Sequence, residues 1–332
     1  MKIKAQKRIW PLRSPFRIAR GVRRAATVVE VAWHHEGEVG RGEAVAYARY
    51  GQNADAAVAA LHAYGAELTA PLSHAQIQSD WPPGGARNAL DAALWDWRAR
   101  RAKRAVWQLM GAPPPRPWVS AFTLSLAAPQ EMAAEAARAS AMPLLKLKLG
   151  GADGMAADME RLAAVRAARP HARLIVDANE GWRASDVRTH LAALQAARLF
   201  FLEQPLPRGE EAALQGLPLP LCADESFLSP QDLPRLAGIF AFVNLKLDKS
   251  GGLSAAQAHA KAARAAGFRL MLGCMLSSSL SLAPAFVLAH EVELVDLDGA
   301  LFLRRDYADG VRWHKKRLHP PHPDLWGGHA SR

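Results

Sequence analysis

The run Leu145-Lys146-Leu147-Lys148-Leu149 sets lysine and leucine in strict alternation. Successive side chains of an extended strand point to opposite faces, so Lys146 and Lys148 share one face while Leu145, Leu147 and Leu149 share the other. Alone, this reads first as a strand with one solvated face. It gains weight because Asn244-Leu245-Lys246-Leu247-Asp248 repeats the pattern later in the chain. Between the two lie Ile175-Val176-Asp177-Ala178-Asn179, Phe201-Leu202-Glu203-Gln204-Pro205 and Cys222-Ala223-Asp224-Glu225-Ser226, with carboxylates spaced 203 − 177 = 26 and 224 − 203 = 21 residues apart. Working outward, β-rich runs at 118–124, 144–149, 173–177, 199–204, 219–224, 241–247, 269–275 and 294–298 alternate with alanine-rich stretches of helical spacing. Eight strands alternating with helices predict a closed parallel barrel, with an open doubly wound sheet as the alternative; no GxGxxG follows the first strand. The charges gather near the C-terminal ends of the strands, the end of a barrel where chemistry is done.

Upstream, residues 1–60 alternate in short stretches such as Thr27-Val28-Val29-Glu30-Val31-Ala32-Trp33, with a turn at His35-Glu36-Gly37, and predict a small antiparallel meander. Helices are expected from 54 to about 72 and over 86–110, separated by Trp81-Pro82-Pro83-Gly84-Gly85. Ala112-Pro113-Pro114-Pro115-Arg116-Pro117 is the strongest linker signal. With 332 residues, 50% hydrophobic and 22% charged, the chain suits one large or two modest folded domains rather than a disordered one. Two cysteines, Cys222 and Cys274, form no disulfide framework and no zinc spacing, which fits a reducing, cytoplasmic setting. Neither a secretion signal nor a membrane-length apolar run is present. The formal charge of +11 is scattered, densest at 17–24 and 98–104, without a basic block interleaved with aromatics. It suits attraction to small anionic substrates better than nucleic-acid reading. The histidines at 314, 319, 322 and 329 are interrupted by prolines and are not expected to hold zinc.

Singly, Asp177 or Asp224 would serve as a helix N-cap. Three converging carboxylates repel one another without a cation, and all-oxygen ligation suits Mg²⁺. A divalent ion flanked by lysines from opposite sides of a barrel suggests a carboxylate substrate held on the metal while its α-proton is removed, giving an enediolate. A lysine base then needs a pKa lowered from ~10.4 to roughly 7–8, which neighbouring cations, the metal and Lys146, are expected to supply.

These residues resemble the enolase superfamily, and within it the dipeptide epimerases, the L-Ala-D/L-Glu epimerase group. The resemblance spans nearly the whole chain. It is carried by Trp10-Pro11-Leu12, Ser14-Pro15-Phe16-Arg17-Ile18-Ala19-Arg20-Gly21, Gly42-Glu43, Arg49-Tyr50-Gly51, Ala86-Arg87-Asn88-Ala89-Leu90-Asp91, the strand ends above and Lys246-Leu247-Asp248-Lys249-Ser250-Gly251-Gly252. It implies an α/β fold, a modified TIM barrel (β/α)₇β with an α+β capping domain: cap 1–112, barrel 113–305, and a segment 306–332 that returns to the cap. It implies one Mg²⁺ per subunit on Asp177, Glu203 and Asp224. Lys148 and Lys246 become the two acid/base residues, Lys146 the group that steadies the enediolate, and Asn179 and Glu225 supports behind the metal ligands.

The resemblance also implies that Asp296 and Asp298, in Val295-Asp296-Leu297-Asp298-Gly299, receive a dipeptide's α-ammonium. Thr123, Cys274, Met275 and Leu276 then line the dipeptide pocket. Arg23, and next to it Arg20, is the expected clamp for a glutamate side-chain carboxylate, with Tyr50 in a second capping loop. The expected activity is epimerisation of L-Ala-D-Glu and L-Ala-L-Glu, as in murein peptide recycling. The rivals are another dipeptide, o-succinylbenzoate synthesis or cycloisomerisation, and, from a different class, an idle barrel that binds nucleic acid or a protein. The expected partner is a small dipeptide, with no nucleic acid and no membrane; a homo-oligomer is left open.

Overall fold

The computed structural model describes residues 1–328 of the chain; the last residues of the expected 306–332 segment, His329 among them, lie outside the described residues. The N-terminal alternation forms three antiparallel strands, β1 (Lys2–Ile18), β2 (Gly21–His35) and β3 (Glu38–Ala44). The β2–β3 turn needs left-handed backbone at Glu36 (φ 46°) and Gly37 (φ 79°), the geometry that matches strand twist in a two-residue hairpin. Two helices pack on this sheet, α1 (Ala54–Glu67) and α3 (Gly85–Ala102), and α2 (His74–Asp80) packs against α3. Glycine at alternate positions of β3 makes this possible. A Cβ on Gly40 or Gly42 would sit 2.1 Å from the carbonyl oxygen of Ala93 or Ala89, so α3 lies directly on the strand. The helix expected over 86–110 breaks at Lys103, which takes a left-handed C-cap (φ 51°).

The eight expected runs form β4 (Phe122–Leu124), β5 (Leu144–Lys148), β6 (Arg173–Asp177), β7 (Phe201–Glu203), β8 (Leu221–Ala223), β9 (Phe242–Leu245), β10 (Arg269–Gly273) and β11 (Leu294–Asp296). They lie in sequence order in one parallel sheet. A parallel bridge from Ser120 to Val295 and the bond from Ala121 N to Val295 O (2.8 Å) bring β11 back beside β4. Helical segments follow each of β4 to β10, although that after β7 is only a 3₁₀ turn, Glu211–Leu214, and β11 is followed by a 3₁₀ turn alone. This is the modified TIM barrel the resemblance implies. The hairpin β12 (Arg312–His314) and β13 (Arg317–His319) then leads the chain back to the cap, where Trp326 Nε1 donates to Ala92 O (3.0 Å) and Gly327 N to Asp96 (2.8 Å).

Period two sorts every barrel strand into outward and inward residues. Leu145, Leu147, Leu174, Val176, Leu202, Val243, Leu245 and Val295 pack outward against the helices. Leu144, Ile175, Phe201, Cys222, Phe242, Met271 and Leu294 fill the barrel interior as one apolar plug. The next inward position on those strands holds Lys146, Asp177, Glu203, Asp224, Asn244, Gly273 and Asp296. The charges therefore stand on an apolar floor, where Coulomb interactions are strong and desolvation is costly.

Candidate active site

Around the barrel mouth the sheet order places Lys148 on β5, Asp177 on β6 and Glu203 on β7, then Asp224 after β8 and Lys246 after β9. Strands β5 and β9 are four places apart in the eight-stranded ring, so the two lysines face each other across it. Asp177, Glu203 and Asp224 are buried and each offers an oxygen within 4.8 Å of the others. Lys148 Nζ donates to Asp177 Oδ2 (2.6 Å) and Lys246 Nζ to Asp224 Oδ2 (2.6 Å). Lys146 Nζ sits 3.1 Å from Asp177 Oδ2, 2.7 Å from Glu203 Oε2 and 3.0 Å from Asp296 Oδ2.

The lowering expected of a base lysine rests on a metal ion together with Lys146; the residues alone act as follows. Burial alone would lower Lys146 and Lys246, yet Asp296 and Glu203 around the first, and Asp224 beside the second, hold both well above the ordinary lysine range. Lys146 lowers Lys246 as expected, but Asp224 in direct contact raises it more. Burial would raise Asp177 and Asp224, but Lys148 and Lys146 hold the first well below the usual carboxylate range, as Lys246 and Lys249 hold the second. Glu203 goes the other way: burial, then repulsion from Asp177, pushes it up to about 7. Its Oε1 accepts from Asn244 Nδ2 (2.8 Å), while Oε2 makes no hydrogen bond although Lys146 Nζ is 2.7 Å away. Buried anionic oxygens in excess, one without a donor, fit a hard divalent cation such as Mg²⁺.

Above the cluster is a cavity of about 280 Å³ between barrel and cap. Thr123, Lys146, Lys148, Asn179, Asp224, Glu225, Lys246, Cys274, Met275, Leu276, Asp296 and Asp298 line it from the barrel, and Arg20, Arg23 and Tyr50 from the cap, while Asp177 and Glu203 lie beneath. Strand β11 ends at Asp296, so Asp298 stands two residues past the strand rather than on it, but both carboxylates still reach the cavity. Asp298 makes no side-chain cap; its Oδ2 accepts from Thr123 N (2.6 Å). Burial and then Asp296 push it up to about 7. Asp296 Oδ1 is buried without a partner. Asn179 N donates to Asp177 Oδ1 (2.9 Å) and its Nδ2 to Glu225 Oε1 (3.3 Å). The two arginines differ. Arg20 is committed to Asn179 O (2.8 Å), Glu225 Oε1 (2.8 Å) and Glu180 Oε2 (3.2 Å). Arg23 makes no ion pair among the described residues; its guanidinium rests over the Tyr47 ring (5.2 Å) at the cavity edge.

Residues 1–111 match the mandelate racemase/muconate lactonizing enzyme N-terminal domain, and residues 130–323 the enolase C-terminal domain-like family. The chain belongs to the enolase superfamily. Within that superfamily it is 41% identical to the L-Ala-D/L-Glu epimerase of Escherichia coli (strain K12), over 96% of this chain and 99% of that one. It is 39% identical to an N-acetyl-D-glutamate racemase of Pseudoalteromonas sp, over 87% and 91%. An Agrobacterium tumefaciens enolase family member with homology to dipeptide epimerases, solved with sodium and L-Ala-L-Glu, superposes with a TM-score of 0.93 at 40% identity, over 98% and 99%. A Methylococcus capsulatus dipeptide epimerase solved with Mg and L-Arg-D-Lys superposes with a TM-score of 0.87 at 29% identity, over 98% and 99%.

The enolase-superfamily site also uses residues that sequence reasoning passed over. Lys249 Nζ donates to Asp224 Oδ1 (2.7 Å) and to the carbonyls of Asn244 (2.9 Å) and Phe227 (3.0 Å). Gln204 Oε1 accepts from Asp224 N and Ser226 N, both at 3.0 Å. Lys249 stood inside a quoted motif, and a lysine in a buried turn was its signal; Gln204 had none. Glu43, from Gly42-Glu43, is a cap–barrel joint: it accepts from Ser278 N (2.9 Å) and Trp10 Nε1 (3.1 Å).

Burial pushes Glu43 up to about 7 from an ordinary 4.5. Between those values the folded protein keeps a proton that the unfolded chain releases. This part of the stability is therefore complete below the unfolded value and is lost as pH rises through about 7. The full loss is on the order of 3 kcal/mol. Thermal melts in chelator from pH 5 to 8 should fall in wild type and fall less steeply in Glu43→Gln. Equal slopes would assign the titration to other groups.

Proposed function

We propose that the protein is a Mg²⁺-dependent dipeptide epimerase, an isomerase that interconverts L-Ala-D-Glu and L-Ala-L-Glu by inverting the α-carbon of the C-terminal residue. The observation that carries this reading is the order of charges around the ring. Metal ligands occupy β6 to β8, Asp296 lies opposite on β11, and Lys148 and Lys246 stand between them on facing sides. A dipeptide with its carboxylate toward the first group and its ammonium toward the second carries the C-terminal α-carbon between the lysines. One lysine removes the proton from one face and the other returns a proton to the opposite face. Lys146, charged and anchored among Asp177, Glu203 and Asp296, faces the negative charge that develops. A divalent ion held by Asp177, Glu203 and Asp224 supplies, when bound, Lewis-acid stabilisation of the deprotonated carboxylate. Asn179 and Glu225 support those ligands from behind.

Arg23, without a carboxylate partner among the described residues, is the clamp for the glutamate side chain; Arg20, already committed, ties the cap to the barrel. Thr123 orients Asp298, and Tyr50, Cys274, Met275 and Leu276 shape the walls. Domain limits at 112 and 305, a cytoplasmic location and a role in murein peptide recycling belong to the same proposal; no described helix is long and apolar enough to cross a membrane.

Proton NMR of L-Ala-L-Glu with protein and Mg²⁺ in D₂O tests the reading. Loss of the glutamate α-signal with appearance of the L,D diastereomer is expected, and neither should occur in chelator. An unchanged spectrum would remove this substrate. N-acetyl-glutamate is the second arm, because Asp298 pushed up to about 7 can hold a proton and donate to an acyl oxygen. Asp298→Asn separates the readings: it should raise the dipeptide KM roughly thirtyfold, about 2 kcal/mol, and spare Mg²⁺ affinity. An unchanged dipeptide KM would remove the ammonium role.

A further inference from the structure

Downstream of Asp177 the chain runs Ala178-Asn179-Glu180-Gly181. Asn179 (φ 45°) and Glu180 (φ 67°) are successive non-glycine residues in left-handed backbone, a conformation that persists only where the surroundings enforce it. Glu180 N donates to Gln204 O (2.8 Å) and Asn179 N to Asp177 Oδ1 (2.9 Å), which fixes the turn. The turn presents the Glu180 carboxylate to the cap. Its Oε2 accepts from Arg20 Nη1 (3.2 Å) and Arg49 Nε (3.0 Å). Its Oε1 accepts from Arg49 Nη2 (2.8 Å) and Arg208 N (3.1 Å). Arg20 lies in the β1–β2 turn, three residues before Arg23, and Arg49 lies one residue before Tyr50 in the 3₁₀ turn Ala48–Tyr50. One carboxylate of the barrel thus binds both cap loops that wall the cavity. The Glu180 side chain is 8% exposed, while its partners Arg20 and Arg49 reach the solvent, so the carboxylate itself is the shielded member of the clamp.

We infer that Glu180 is a positioning residue that holds both cap loops on the barrel and thereby places Arg23 and Tyr50 against the substrate. The inference rests on the proposed epimerase reading only for its effect on substrate. The Arg49 fork is bidentate, the geometry that makes a guanidinium–carboxylate pair directional, and Arg20 adds Glu225 and Asn179 O as further anchors on the same side. Phe16 is buried, and Ile18 and Tyr47 pack against the same apolar cluster, but the loop tips beyond them hang on these polar bonds, and such segments open locally at lower free energy than a core. Removal of the shared carboxylate loosens both at once, and the apparent affinity falls with the fraction of protein still closed.

Two variants separate charge from backbone: Glu180→Gln removes the charge at constant size, and Glu180→Gly removes the carboxylate and relieves the left-handed strain. Arginines at 17, 20, 23, 24 and 49 give trypsin a site in each loop. Digestion of the folded, Mg²⁺-saturated protein should cut both segments about tenfold faster in both variants than in wild type. The KM for L-Ala-L-Glu should rise roughly tenfold with kcat within about twofold of wild type. Acceleration in one segment only, or in neither, overturns the shared clamp, as does an unchanged KM. A parallel loss of Mg²⁺ affinity also overturns it, because Glu180 would then act through Asp177. Digestion needs no substrate, so a wild-type protein that turns over no dipeptide defeats the epimerase reading while the clamp is still decided.

Discussion

Lys246→Ala should turn over L-Ala-L-Glu about 10⁴-fold more slowly than wild type while still exchanging the α-proton of one epimer in D₂O. Lys148→Ala should do the same for the other epimer. The asymmetry follows from two lysines on strands four places apart, each able to reach one face of an α-carbon set between them. Loss of either group stops inversion because the intermediate can then be reprotonated only on the face from which it came. The metal site supplies the control. Lys246 is an ion-pair partner of Asp224, and Lys249 Nζ remains 2.7 Å from Asp224 Oδ1 after its removal. Mg²⁺ affinity should therefore hold or tighten in Lys246→Ala, so lost turnover does not trace to lost metal. Full epimerase turnover in both single variants would end the two-base assignment.

The barrel and its charged rim were legible because one period carries both. In Leu145 to Leu149 the alternation that hides leucines behind the helices also aims Lys146 and Lys148 inward, and the same logic assigns Asp177, Glu203, Asp224 and Asp296. Helix α2 was missed: His74–Asp80 buries a single apolar residue, Ile77, and its start is marked only by Ser73, whose side chain accepts from Gln76 N (3.1 Å). The arginine excess was legible as number but not as use. Arg87 binds the carbonyls of Ser250 (2.6 Å) and Gly251 (3.0 Å), and Arg169 those of Ala136 (2.9 Å) and Met142 (2.7 Å). Part of the +11 charge thus serves as buried or half-buried clamps on backbone. Glu180 and Arg20 could not be read as partners, because they lie 160 positions apart and meet only where the cap closes on the barrel.

Two of the three candidate metal ligands should separate by the sign of their effect on stability. Glu203, pushed up to about 7 by burial and by Asp177, is ionised at a cost at pH 8. A raised carboxyl contributes stability that is lost as pH rises through its folded value, so Glu203→Gln should stabilise the chelator-treated protein at pH 8 by about 1–2 kcal/mol. Asp224 is held low by Lys246 and Lys249, and its contribution is present at neutral pH and lost only in acid. Asp224→Asn leaves two buried ammonium groups short of a counterion and should destabilise the same preparation by roughly 3–5 kcal/mol. Both variants should lose Mg²⁺ affinity by about 100-fold or more, since a neutral amide replaces an anionic ligand of a hard cation. Wild type alone should then be stabilised by added Mg²⁺, by about 2.7 kcal/mol at a concentration 100 times its dissociation constant. Melts with and without Mg²⁺ test this directly. A chelator-treated Glu203→Gln less stable than wild type would show that Lys146 already neutralises Glu203, and the site would then have no surplus charge for a metal to satisfy. The expected pattern, an easier fold without the carboxylate and a lost function, is that of a residue kept for the cation it binds.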